Sequence, residues 1–482
     1  MAQKLDFSFL KGRHASPEGG RMGYGHFNYT ILKQYTEDDK DWPLRIMPGA
    51  GISKNHKVNT FFFQKDDKEV RDFLQRFIDK FSLLKDLEEY TKKTKEKGIK
   101  DIKTNNYSAL NNEQLSYKIN SYYISCKLLF KSASTLRYID RAVMAELKKI
   151  VQKYNLGEDA ISILSTSERN TFSVQEHLEI LELAVKAKSG KIKNKEIEQV
   201  LKEIHTTYCF GVLGYYKEQP KELGDYKKEF ENILASNPEE ELKSFKGKLN
   251  LSLNKRKALM KKLNKEEKLL ADIAAESSYL KDYYKSSINE LQYNTEPIFE
   301  EISRRTRKSI DFIKDLFPEE TIKLINNGKI DEKEIEERIN NFIVIITPDK
   351  CMTLTGKDAL EFEEKFIKIE GLDKKEFKGR VACKGFVTGK AKVILGTQDF
   401  HKFNKGDIII ATNTSPDFVP LMKKASAIIA EEGGLTAHAS VVSREMGVPC
   451  IVGINNATKV IKDGDLIEVD ANKGTVKILK KA

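Results

Sequence analysis

Two different spacings of hydrophobic residues divide the chain. Between about residues 68 and 345, apolar side chains recur three and four positions apart. Phe73, Leu74, Phe77 and Phe81 form one such stripe, and Leu280, Tyr284, Ile288 and Leu291 another. This spacing lines one face of an α-helix and predicts a large all-helical body. Start and stop signals punctuate it. Asn237-Pro238-Glu239-Glu240 reads as an N-cap, a proline in the first turn and an acidic start. Asp331 with Glu334 reads as a variant capping box, and Gly328 as the C-cap of a short helix beginning at Pro318. Pro297 falls inside a helical pattern running from about Glu266 to Asp315, so a kink or break is expected there, because proline lacks the amide hydrogen that a helix interior uses. No fixed-period repeat is present, and a solenoid is not expected.

After about Lys350 the period shortens. β-branched runs alternate with glycine turns at Gly385–Leu395, Asp407–Ala411, Ala427–Ala430, Cys450–Val452, Leu466–Val469 and Thr475–Leu479, which predicts a compact α/β domain. Residues 1–70 read as a small, irregular, partly β segment with a strand at Val58–Phe63. The glycines of its GGRMGYG run are expected in ordinary turns, since the lysine of a phosphate loop is missing. The expected organisation is therefore a multidomain α plus α/β chain: segment 1–70, a helical domain at 71–346, a polar linker and hinge at 347–376, and a C-terminal domain at 377–482.

The chain is 40% hydrophobic over 482 residues, enough for more than one core. No stretch approaches the ~18 uncharged apolar residues of a spanning helix, and the N-terminus has no signal-like run; a cytoplasmic location and no membrane partner are expected. The net charge of +11 comes mainly from lysines interleaved with glutamates along predicted helices. That pattern suits a solvated helix surface, and nucleic acid is not expected as a partner. The five cysteines have neither CxxC nor zinc-like spacing, so no disulfide framework and no metal site are expected; most read as small buried hydrophobes.

Candidate chemistry concentrates in Glu431–Pro449, EEGGLTAHASVVSREMGVP. A strand at Ala427–Ala430 delivers the chain to the Gly433-Gly434 turn. A helix from about His438 to Met446 follows, with Gly447 to end it before Pro449. A helix N-terminus offers unpaired N–H groups and a partial positive charge, which favour a phosphate. A neutral imidazole there is a competent nucleophile, so His438 is the candidate catalytic residue. Thr436 can donate its hydroxyl to the imidazole or to phosphoryl oxygens. Gly433 and Gly434 permit a tight turn that admits a bulky donor. Arg444 either complements phosphate charge or pins the helix to its own domain.

The pattern GG-x-T-x-HA-x-x-x-x-RE-x-G-x-P resembles the phosphohistidine signature of phosphoenolpyruvate synthases, pyruvate phosphate dikinases and rifampin phosphotransferases. The flanks are similar too: GFVTGKAKV from Gly385, the run from Gly406 through Gly434, and the closing DGDLIEVDANKGTVKIL. Residues 301–340 resemble the helical region that precedes this domain in such proteins. The resemblance implies a swivelling β/β/α domain in which His438 carries a phosphoryl group, with Mg2+ and ATP or phosphoenolpyruvate at the donor step. Ala437 departs from the family, which usually places a small polar residue beside the histidine.

Relatives draw phosphate through an ATP-grasp domain or a magnesium-dependent barrel, and neither is found in this sequence. Three readings follow. The first is a phosphotransferase component that needs a separate ATP-grasp donor protein and passes phosphate to a small-molecule acceptor. The second is a non-catalytic binding or regulatory module that retains the fold. The third, resting on charge alone, is a nucleic-acid-binding protein and ranks last. Tyr208, Phe210, Tyr215 and Tyr216 read as helix–helix core with a substrate pocket as the alternative. Arg304, Arg305 and Arg307 are candidates either to meet phosphate or to be solvated surface. His26, His177 and His205 have no ligand-like companions and read as structural.

Overall fold

The computed structural model describes residues 14–22, 49–54, 57–64, 83–157, 160–213, 219–346, 351–366, 375–414, 418–431, 438–454 and 456–482. For some residues within its helices and strands, His438 and Arg444 among them, only the backbone is described. The chain divides into two compact units, one built mainly from Arg21–Leu360 and the other mainly from Glu361–Ala482.

The first unit contains helices α1 (Leu83–Ile102), α2 (Asn112–Lys153), α3 (Ala160–Leu164), α4 (Phe172–Lys188), α5 (Asn194–Tyr208), α6 (Leu223–Ala235), α7 (Pro238–Met260), α8 (Lys265–Thr306), α9 (Ile310–Asp315), α10 (Pro318–Asn327) and α11 (Glu332–Asn340). The two longest, α2 and α8, run antiparallel through its main core. Lys153 at the end of α2 pairs with Glu267 at the start of α8 at 2.7 Å, and Arg305 near the end of α8 bonds Asn112 at the start of α2 at 3.1 Å. Their seam is the apolar stripe expected from spacing: Leu280, Tyr284, Ile288 and Leu291 are all buried, together with Leu115, Ile119, Tyr122 and Leu129. Each such side chain taken fully out of water contributes roughly 1.5–3 kcal/mol. Tyr122 meets Phe299 edge-on, with ring centroids 5.8 Å apart.

Both long helices begin with reciprocal capping boxes. The Asn111 side chain accepts from the Gln114 N–H at 2.8 Å, and Asn264 accepts from the Glu267 N–H at 2.9 Å. Gly328 adopts φ 66° and closes α10, as expected. At Pro297 no break occurs: α8 continues through it to Thr306. Buried Thr295, Ile298 and Phe299 hold the segment against its neighbours, so packing outweighs the one missing backbone hydrogen bond. The helix instead stops at Arg307, which takes the left-handed conformation with φ 58°.

Strands β1 (His14–Met22), β2 (Gly49–Lys54), β3 (Lys57–Gln64), β4 (Asn341–Ile346) and β5 (Cys351–Thr355) form a five-stranded sheet in the order β1-β3-β2-β4-β5. Gly19 and Gly20, expected in a turn, lie within β1. β2 pairs antiparallel with both β3 and β4, so strands before the helices join strands after them. Within the stretch expected as a linker, β5 is followed by α12 (Gly356–Phe366), whose Ala359 and Phe362 are buried. Phe73, Leu74, Phe77 and Phe81 lie outside the described residues.

The second unit contains β6 (Glu376–Lys378), β7 (Arg380–Cys383), β8 (Phe386–Val393), β9 (Ile408–Ala411), α13 (Val419–Met422), β10 (Ala427–Ala430), α14 (His438–Met446), β11 (Cys450–Val452), α15 (Ala457–Val460), β12 (Leu466–Asp470) and β13 (Thr475–Lys480). Its eight-stranded sheet has the order β6-β13-β12-β8-β9-β10-β11-β7. β8, β9, β10 and β11 are parallel, and the other pairings are antiparallel. The β9 sequence IIIA and the β10 sequence AIIA are buried at every position, the mark of parallel strands covered on both faces. Alternate residues feed two cores: Ile408, Ile410 and Ile429 enter one, and Ile409, Ile428 and Ala430 the other.

The two edge strands of this sheet are consecutive in the chain, separated only by Gly379, so the sheet curls until its ends meet. Gly379 donates its N–H to the Gly474 carbonyl at 2.8 Å. A Cβ at Gly379 would fall 2.6 Å from Ile454, 2.7 Å from Ile451 and 2.8 Å from the Val452 carbonyl oxygen. Only glycine fits this seam.

Candidate functional site

The segment singled out by sequence is a strand–helix–strand unit. β10 runs parallel between β9 and β11, and the chain leaves its C-terminal end and returns through α14 to β11. α14 begins at His438, and a helix N-terminus offers unpaired N–H groups and positive potential, which favour an anion.

The strand ends are clamped. The Ala430 carbonyl accepts from the Gly453 N–H at 2.9 Å, and the Glu431 N–H donates to the Ala411 carbonyl at 2.9 Å. The Glu431 carboxylate accepts from both the Thr458 N–H, at 2.7 Å, and the Thr458 hydroxyl, at 2.6 Å. It thereby fixes the exit of β10 to the start of α15. Sequence reasoning assigned Glu431 no role; its only signal was an acid directly after a fully apolar strand, with a partner too distant in the chain to be seen.

α14 is anchored along its inner side. Ala439 and Val442 pack into the core shared with Ile428, Ala430 and Val452, and Ser440 and Ser443 are fully buried. The Ser443 hydroxyl donates to the Ser440 carbonyl at 3.1 Å. Gly447 takes φ 66° and the Val448 N–H reaches back to the Ser443 carbonyl at 3.0 Å, the closing pattern of a Schellman cap. Pro449 then accepts the Ile428 N–H on its carbonyl at 2.8 Å as the chain enters β11. The helix expected from about His438 to Met446 and its glycine stop are thus both present.

Of the predicted site residues, the backbone of His438 and of Arg444 is placed by α14. Gly433, Gly434, Thr436 and Ala437 lie outside the described residues. Across the domain, the Asp463-Gly464-Asp465 turn grips β8: the Val393 N–H donates to Asp463 at 2.6 Å, and the Ala391 N–H to the Asp465 carbonyl at 2.8 Å. Burial pushes the Asp465 carboxyl up, but the Lys462 N–H, the Lys481 ammonium at 2.9 Å and the Ala482 N–H together outweigh it and hold it below the usual aspartate range.

Residues 403–474 match the family model described as "PEP-utilising enzyme, mobile domain". The C-terminal unit carries the mobile domain of the PEP-utilising enzyme family. Similar proteins include a probable phosphoenolpyruvate synthase of Archaeoglobus fulgidus, 35% identical over 227 residues that make up 44% of this chain and 29% of that protein. The phosphoenolpyruvate synthase of Pyrococcus furiosus is 42% identical over 122 residues, 25% of this chain and 14% of the relative. The rifampicin phosphotransferase of Bacillus cereus is 34% identical over 163 residues, 33% of this chain and 18% of the relative. This chain therefore spans less than a third of the length of each of these relatives.

Of the arginines considered as phosphate ligands outside the mobile domain, two bond a buried glutamate. Arg304 and Arg305 both bond the Glu301 carboxylate, at 2.6–2.8 Å, and Arg305 also donates to the Leu110 carbonyl at 2.6 Å. Arg307 is the left-handed cap of α8. Tyr208 and Phe210 are core: Phe172 packs on both, and the Tyr208 hydroxyl donates to Glu179 at 2.7 Å. Tyr215 and Tyr216 lie outside the described residues, as does His26. His177 sits 3.6 Å from Glu229 against Phe245, and His205 meets Tyr226 edge-on. Among the described residues no group of three or more His, Cys, Asp or Glu side chains is placed to hold a metal ion, and no helix is long and apolar enough to cross a membrane.

Proposed function

We propose that this chain is a phosphotransferase component in which His438 carries a phosphoryl group from ATP or phosphoenolpyruvate to a small-molecule acceptor. The observation that supports the reading is the position of α14: within the residues matching the mobile domain, the helix begins at His438, on the connection between the parallel strands β10 and β11. In the first transfer a ring nitrogen of neutral His438 attacks phosphorus, the N–P bond forms, and the P–O bond to ADP or enolpyruvate breaks. In the second, an acceptor oxygen attacks, the N–P bond breaks, and the acceptor proton passes to solvent or a base. The N-terminal amides of α14 offset the phosphate charge, Thr436 donates a hydroxyl hydrogen bond, Gly433 and Gly434 admit the donor, and Arg444 contributes positive charge.

The domain moves between donor and acceptor stations, and the helical unit presents the acceptor. With ATP as the donor, the donor step takes place on a separate ATP-grasp protein, and Mg2+ enters with the donor. A cytoplasmic location accords with this chemistry.

The test is phosphate labelling with labelled ATP and, separately, labelled phosphoenolpyruvate, using the protein alone and with host lysate. Acid-labile, alkali-stable label is expected in the native protein and none in His438→Ala. Label retained in the variant would remove His438 from the mechanism. A folded native protein that takes no label under any of these conditions would instead support a binding module, the reading that Ala437 favours.

A further inference from the structure

We propose that Cys383 and Cys450 form a reversible cross-strand disulfide site beneath the first turn of α14. The two residues are register partners on the neighbouring antiparallel strands β7 and β11. Directly opposed residues of such a pair have Cα atoms about 4.5–5.5 Å apart, inside the span of about 4.4–6.8 Å that a disulfide accepts. The face is also right. A register shift follows the pair, with Ile451 opposite Val381, and it leaves Ala382 and Cys383 in the same core cluster as Cys450.

The two thiols differ in access. Cys383 is half-buried and its thiol lies against the Lys384 carbonyl at 3.9 Å, whereas Cys450 is fully buried and its S–H donates to the Ala439 carbonyl at 3.9 Å. Cys126 and Cys209 are buried in two cores of the helical unit. An accessible attacking thiol backed by a buried resolving thiol is an arrangement suited to thiol–disulfide exchange. With a low-molecular-weight disulfide such as glutathione disulfide as oxidant, the Cys383 thiolate attacks one sulfur, releasing one glutathione thiolate and leaving a mixed disulfide. The Cys450 thiolate then attacks the Cys383 sulfur, releasing the second glutathione. Two cysteine thiols are oxidised, one glutathione disulfide is reduced to two glutathiones, and the protons end on the released thiols.

Oxidation exchanges the Cys450 S–H contact to Ala439 for a covalent tie between β11 and β7, so the site acts on the residue adjacent to His438. The experiment treats the native full-length protein with glutathione disulfide, blocks remaining thiols with an alkylating agent, and maps tryptic peptides with and without reduction. The expected product links peptide Val381–Lys384 to Glu445–Lys459, lowers the intact mass by about 2 Da, and reverts with dithiothreitol. Cys383→Ser, at the half-buried position, is expected to fold and lose the link completely; Cys450→Ser is expected to stop at a glutathione adduct on Cys383. Three results would overturn the proposal: a native protein that stops at that adduct, a link that appears only in denaturant, or a link that survives in Cys383→Ser.

Discussion

The helical unit and the mobile domain solve the same problem, holding a fold together, with different materials. Among the helices of the first unit, order depends on side chains. Glu301, only 7% exposed, collects Arg304 and Arg305, and Arg338, 4% exposed, forms a two-pronged pair with Glu320 at 2.5–2.7 Å. In the mobile domain it depends on the backbone: fully apolar parallel strands, carbonyls shared between strand ends, and the Gly379–Gly474 seam. The difference explains where chemistry is to be sought. Arg304 and Arg305 of the helical unit are committed to Glu301, whereas α14 packs on a sheet whose inner positions are occupied by apolar groups.

The sharpest break of this contrast is Arg305→Ala. It leaves the buried Glu301 carboxylate with Arg304 alone and the Leu110 carbonyl uncapped, and is expected to cost about 1.5–3 kcal/mol. Hydrogen exchange should show lost protection around the ends of α2 and α8 and unchanged protection in β8–β11. Gly379→Ala is the converse. Forcing a methyl group into the seam should cost about 1–3 kcal/mol and loosen the β6 and β7 edges without touching the helices, as measured by denaturant unfolding with the same exchange map. A smaller effect, about 1 kcal/mol, is expected for Asn264→Ala, which removes the α8 cap.

Acid should expose the side-chain dependence of the helical unit. The Arg304 and Arg305 guanidinium groups, against the opposing effect of burial, hold the Glu301 carboxyl down to about 2. Its folded value lies below the usual glutamate value of about 4.3, so its contribution is fully present above that value and fades as pH falls from there towards 2. Stability measured across this window should decline less steeply in Glu301→Gln than in the native protein. Equal slopes would show that the cluster contributes nothing to acid sensitivity.

What the sequence reveals follows from range. Helix stripes, the caps at Gly328 and Asn237, the strands of the mobile domain and the His438–Met446 helix are local patterns, and they are legible because i, i+3 and i+4 spacing or a glycine stop is written within a few residues. The pairing of β2 with β4, the hold of Glu431 on Thr458, the reach of Arg305 to the Leu110 carbonyl and the opposition of Cys383 to Cys450 each join residues far apart in the chain. No local pattern encodes them. Pro297 teaches the opposite lesson: the local rule predicted a kink or break, and with buried neighbours on α8 the helix runs through it unbroken.

The central claim is that phosphate is carried on His438. The most direct measurement is mass-spectrometric mapping, under alkaline conditions, of protein phosphorylated in lysate with ATP or phosphoenolpyruvate. The account predicts a phosphoryl group on peptide Ala425–Arg444, placed by fragmentation on His438 and lost on brief acid treatment. An acid-stable phosphate on Thr436 or a serine of that peptide, or an acid-labile phosphate on a histidine elsewhere in the chain, would contradict it.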